Sequence, residues 1–234
     1  MAYALTFFTV AVASGVIAAT VPSLPVRVTA GWIGITFLVV AAAYAVNAAG
    51  LLCKRRTGGR WPWAWPLAGP YLLLTEISYR ISRQTTPEPG IVPVSENLYL
   101  GRRLLPTEAS AAVAEHHFQA VLDLAAEFTA PRPFRALPHY YSVPVLDAAA
   151  PTADQLRATT AWLLDRVKTG PVYVHCALGH GRSALAAAAY LVAAGLAPNP
   201  KAAVARVKAV RPKATLTDPQ WVELTAFAKS LSRT

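Results

Sequence analysis

Residues 1–53 carry a single charged side chain, Arg27. Two apolar stretches flank it, at about 2–21 and 32–53, and each is long enough to cross a bilayer as a helix. Neither shows the polar face of a helix that covers a soluble core. The first stretch also lacks the basic start of a secretory signal. Pro22 and Pro25 interrupt the chain between them. The expectation is a transmembrane helical hairpin over 1–53, with a short outer loop near Arg27. This local excess accounts for the 54% apolar residues of the 234-residue chain.

Lys54, Arg55, Arg56 and Arg60 follow the second stretch at once. The bias of positive charge towards the cytoplasmic side then places both termini and everything after residue 53 in the cytoplasm. A reduced compartment also protects a reactive thiol. The heavy use of alanine points to a GC-rich bacterial genome, so an inner-membrane protein is expected. Cys53, at the membrane edge, reads as a plain apolar residue rather than an acylation site.

Residues 54–90 read as a basic, Trp-rich juxtamembrane segment and linker. Trp61, Trp63 and Trp65 resemble an interfacial aromatic belt. Pro70 is placed to start a helix over 71–83, either flat on the membrane or packed on the domain that follows. Residues 85–90 form a short linker. The net charge is +10, and no acidic residue precedes Glu76. That excess beside apolar spans suits anionic lipid better than nucleic acid, and a basic surface serving topology alone is the alternative.

Residues 91–234 have the size of an ordinary domain. Short apolar strands alternate with helices at about 105–118, 153–169, 183–194, 200–210 and 218–231, which implies an α/β architecture. The chemistry sits in 175–183, His-Cys-Ala-Leu-Gly-His-Gly-Arg-Ser. Val172-Tyr173-Val174 before it reads as a buried strand, and the Ala-rich run after it reads as a helix closed by Gly195. A strand-to-helix loop of this kind can turn the amides of Ala177, Leu178, Gly179, His180, Gly181 and Arg182 onto an anion. Arg182 adds a planar fork for phosphate oxygens. Ser183 can donate a hydrogen bond to the Cys176 sulfur, and a thiolate there is the nucleophile. His175 is expected to orient the loop. His180 either meets an anionic substrate or lies in solvent.

These residues resemble the His-Cys-x-x-Gly-x-x-Arg-Ser loop of the cysteine-dependent dual-specificity phosphatases, within the protein tyrosine phosphatase superfamily. Asn97 to Gly101 and Val121 to Leu124 resemble that family's first two strands, and Arg211-Pro212 and Gln220 fall where it has an Arg-Pro step and a late Gln. Gly181 before the arginine is similar to the loops of lipid- and glycan-directed members, although no Lys or Arg precedes Arg182 in this loop. The resemblance implies a dual-specificity-phosphatase-like α/β domain and a general acid about thirty residues before the cysteine. Asp147 stands 29 residues before Cys176, at the end of a strand and ahead of small residues that suit a lid. Asp154, in the first turn of a helix, and Asp123, within an apolar run, are its rivals.

The catalytic set is therefore Cys176, Arg182, Asp147 and Ser183, with no cofactor and no metal. The expected reaction is hydrolysis of a phosphomonoester through a phosphocysteine, with membrane lipids as partners. A headgroup of the phosphatidylglycerophosphate or phosphoinositide type is the leading substrate. Membrane-proximal phosphoproteins are the alternative, and an inactive phosphate-binding module ranks lower.

Overall fold

A computed structural model describes residues 2–231. Helices α1 (Ala2–Thr20) and α2 (Leu24–Ala45) form an antiparallel hairpin, and both are long and apolar enough, by length and composition, to cross a membrane. The second begins eight residues earlier than its apolar run implied. Pro25 starts it rather than breaking the chain, because the first turn of a helix needs no backbone donor. Arg27 consequently lies inside α2, not in the connecting loop, and its Nε donates to the Ala18 carbonyl at 3.0 Å across the hairpin tip. Residues 46–53 are not helical span either. Asn47 and Cys53 adopt left-handed backbone there, around a short 3₁₀ turn, Ala49–Leu52.

The third helix, α3 (Ala64–Thr85), runs through Pro70 instead of starting at it. Proline at 70 removes the donor that would bond the Pro66 carbonyl, four residues back. The indole Nε1 of Trp32 takes that carbonyl at 2.6 Å, and Thr36 Oγ1 donates to the next one, of Leu67, at 3.0 Å. Helix α2 thus supplies what the proline withholds. Further along, Tyr79 of α3 packs on Phe128, while Leu73, Leu74, Ile77 and Ile81 stay exposed. One end of α3 holds the hairpin, the other holds the α/β domain, and an apolar face remains open.

The basic residues at 54 and 60 do not lie on the surface. The Lys54 side chain is fully buried, and its Nζ donates to Asp123 Oδ2 at 2.7 Å. Arg60 donates to the carbonyls of Leu52 and, at 3.1 Å, Ala126. Asp123 also accepts from Tyr140 at 2.7 Å. Burial alone would raise the Asp123 carboxyl, but the Lys54 ammonium beside it holds it below the usual range.

The sheet follows as β1 (Ile91–Ser95), β2 (Leu98–Gly101), β3 (Ala120–Ala125), β4 (His139–Val145) and β5 (Val172–His175), in the order β1-β2-β5-β3-β4. Only β1 runs antiparallel to its neighbour. Strands β3 and β5 are buried along their whole length, as parallel strands covered on both faces must be. Helices α4 (Pro106–His116), α6 (Ala153–Thr169), α7 (Arg182–Ala193), α8 (Pro200–Val210) and α9 (Asp218–Leu231) lie within two residues of the sequence reading, and a short turn of helix, α5 (Arg132–Arg135), joins them. The Thr152–Gln155 capping box opens α6, with Gln155 N donating to Thr152 Oγ1 at 3.2 Å and Thr152 N to Gln155 Oε1 at 2.9 Å. Helix α7 is half alanine and almost wholly buried, which lets it sit against the sheet directly behind the loop it follows.

Candidate active site

Strand β5 is the central strand, and the loop 176–181 leaves its carboxyl end to enter α7 at Arg182. The loop's carbonyls are tied outwards. Arg103 N donates to Ala177 O at 2.8 Å, Arg211 Nη2 to Leu178 O at 2.6 Å and Thr215 N to His180 O at 2.9 Å. Among the described residues, no acceptor engages the amides of Ala177 to Gly181. Gly179 has φ +79°, and a Cβ there would lie 2.6 Å from the Gly101 backbone. The loop can pass β2 that closely only without a side chain.

Cys176 is buried, and its Sγ lies 3.2 Å from Ser183 Oγ. His175 lies beneath it, stacked on Tyr173 with its Nδ1 3.1 Å from the Cys176 carbonyl. A carbonyl only accepts, so Nδ1 carries the proton. Burial pushes the imidazole below its ordinary range and keeps it neutral. His175 therefore positions the loop and does not face the cleft. His180 is turned away too: its Nε2 pairs with Glu88 of the linker. That linker is pinned, since Arg211 Nη1 also donates to Pro89 O at 2.7 Å.

Arg182 is buried between three strand ends. Nη1 and Nη2 form a two-pronged ion pair with Glu127 at 2.8 and 2.7 Å. Nη1 also reaches the Val145 carbonyl at 2.8 Å, and Nη2 reaches Asp147 Oδ1 at 3.0 Å. Its Nε is buried with no partner among the described residues. Burial would raise the Glu127 carboxyl, but the guanidinium overrides it and holds the group below the usual carboxylate range. Sequence reasoning missed Glu127. Its only signal was its place, two residues beyond the buried strand β3, at the carboxyl end where α/β sheets gather their chemistry.

Asp147 meets Arg182, and its side chain remains 60% exposed. The backbone just after it is strained: Ala148 has φ +59°. Helix α9 holds it there, with Thr217 Oγ1 donating to Ala148 O and Gln220 Nε2 to Ala149 O, each at 2.9 Å. The rivals fall away from the site. Asp123 is committed to Lys54 and Tyr140, and Asp154 pairs with Arg157 on the exposed first turn of α6.

A cleft of about 220 Å³ opens on the loop. One side is formed by Glu127, Asp147, Ala177 and Leu178 and the other by side chains of α1, α2 and α3. The apolar hairpin thus reaches the loop 176–181.

Residues 107–222 match the family model described as "Swiss Army Knife protein, DSP-PTPase phosphatase domain". Among solved structures the fold is similar to PTPMT1 in complex with PI(5)P, at 19% identity and TM-score 0.56, over 62% of this chain and 98% of that one. It is similar to Tk-PTP in its active form, at 24% identity and TM-score 0.55, over 60% and 97%. It is also similar to human DUSP28, at 25% identity and TM-score 0.52, over 62% and 96%. No curated protein matches the chain. The matched region is a dual-specificity-phosphatase-like domain with the mixed α/β sheet of that fold.

Proposed function

We propose that this phosphatase-like domain hydrolyses a phosphomonoester on a phospholipid headgroup, through a phosphocysteine, while the hairpin holds it in the membrane with the α/β domain on the cytoplasmic side. The observation that carries the chemistry is the set of unused donors around Cys176: the amides of Ala177 to Gly181 and the buried Nε of Arg182. Five unpartnered amides of one loop, with the unpartnered guanidinium N–H beside them, suit a phosphoryl group and the charge of its transition state.

In the proposed sequence Cys176 attacks phosphorus in line as the bond to the leaving oxygen breaks. Ser183 hydrogen-bonds the sulfur, 3.2 Å away. Asp147, protonated at that stage, gives its proton to the leaving oxygen. As the carboxylate it then takes a proton from water, which displaces the sulfur and yields inorganic phosphate. Replacing Asp147 by Asn is expected to slow turnover about 10²- to 10⁴-fold for alkyl phosphates. A nitrophenyl phosphate, whose leaving group needs no proton, should lose far less. An equal loss on both substrates in steady-state kinetics removes Asp147 as the acid.

The lipid assignment rests on the rigid junction between hairpin and domain. A flexible tether would let the domain sweep the cytoplasm. Here Lys54 is locked on Asp123 inside the domain, and the catalytic cleft opens beside Tyr3 and Tyr44, at the paired ends of α1 and α2. Aromatic residues at helix ends mark the headgroup layer. PTPMT1 has been solved with PI(5)P, which agrees with a lipid substrate without assigning one. The test measures phosphate release by the full chain in vesicles containing phosphatidylglycerophosphate or a phosphatidylinositol phosphate, beside phosphotyrosine peptides. Faster turnover of a lipid supports the reading, and faster turnover of the peptides overturns it.

A further inference from the structure

Most of the cleft wall opposite Asp147 belongs to the hairpin and α3, not to the phosphatase-like domain. We infer that this wall is the specificity-determining half of the site. On this inference, which rests on the lipid reading above, Phe7, Tyr44, Tyr71 and Leu74 hold the glycerol backbone and first acyl carbons of the substrate.

Three observations converge on that occupant. The first is size. At about 220 Å³ the cleft falls below the roughly 300 Å³ at which sites begin to enclose a whole small ligand. It takes a phosphorylated headgroup and leaves no room for two acyl chains, so the chains must pass out through an open side.

The second is the order of the lining. Phe7 lies 5.2 Å from Tyr44 and edge-on to Tyr71 at 5.6 Å, which makes a preset aromatic wall next to the hairpin. Further along α3 the lining adds the hydroxyls of Thr75, Ser78 and Ser82 beside the paired rings of Tyr79 and Phe128. The hairpin end is thus mainly aromatic, with the Tyr44 and Tyr71 hydroxyls paired to each other at 3.5 Å, and the serine hydroxyls are left at the other end for a headgroup.

The third is continuity. Leu74 lines the cleft yet is 49% exposed, and it adjoins the open apolar face of Leu73, Ile77 and Ile81. On the lipid reading above, the Leu73–Leu74 end of that face, next to the hairpin, meets lipid, so the hairpin end of the cleft opens sideways into the membrane. A lipid can then present its phosphate to Cys176 without leaving the bilayer.

The test compares one lipid, whichever the wild-type chain turns over fastest in vesicles, with its deacylated, water-soluble headgroup. The readout is the ratio of kcat/KM for the two substrates. Leu74→Trp fills the wall and Leu74→Ala opens it, at a half-exposed position where the fold tolerates either. Each is expected to lower the ratio about 10-fold or more. Phe8→Ala, exposed on the outer face of α1, should leave it within about twofold. A ratio unchanged by both Leu74 variants overturns the inference while lipid turnover by wild type keeps the function intact. A wild type that turns over peptides and no lipid overturns both, and the two failures are thereby told apart.

Discussion

Replacing Cys176 by Ser is expected to lower phosphate release by roughly 10⁴-fold or more, with the fold intact. Serine is nearly the same size, and among the described residues the buried sulfur bonds only the Ser183 hydroxyl. Packing therefore changes little. What changes is the nucleophile: an alkoxide is far harder to form than a thiolate in the same ring of donors. Melting temperature, turnover and acid-trapped phosphoenzyme should be measured together. The expected result is a wild-type melt, no turnover and no phosphorylated adduct. Retention of even a tenth of the activity would take the sulfur out of the mechanism.

Arg182→Lys is expected to damage both stability and rate. Arg182 is clamped by Glu127 through two parallel hydrogen bonds, with both side chains buried. Lysine keeps the charge but cannot make the fork, so one Glu127 oxygen is left buried and unpaired. Breaking a buried pair in this way costs about 3–5 kcal/mol. The rate should fall about 10³-fold or more, because in the proposed mechanism the guanidinium also stabilises the transferring phosphoryl group. The double variant Arg182→Met with Glu127→Leu separates the two effects. It removes both charges, so denaturant melts should recover most of the lost stability while turnover stays at the level of the single variant. Recovery of turnover would mean that Arg182 acts only as a strut. The Asp147 contact contributes little to either melt, since that carboxylate is largely in solvent.

What the sequence conveyed was local chemistry with fixed spacing. The loop from Cys176 to Ser183 and the capping box at Thr152 are short-range patterns, and each appears where its residues implied. What it hid were pairings between distant charges. Glu127 is one acid in an apolar run, and nothing within ten residues names Arg182 as its partner. Lys54 and Arg60 look like any basic flank of an apolar span, yet they are drawn inwards by Asp123 and by open carbonyls at the end of β3. Pro70 misled for a related reason: the indole that makes a helix possible there lies 34 residues away from the carbonyl it bonds. Pairings of this kind depend on tertiary placement, which no local pattern encodes.

The contact between Asp147 and Arg182 has a kinetic corollary. The carboxylate rests on Nη2 at 3.0 Å, so an arriving dianion competes with it for the guanidinium. When inorganic phosphate departs, the same carboxylate returns. Glu127 holds the other edge of the cation throughout, and in the proposed mechanism product escape is an exchange of one anion for another at Nη2 rather than a net separation of charge. Such an internal competitor weakens the grip on reactant and on product alike, and it favours rapid cycling over tight retention.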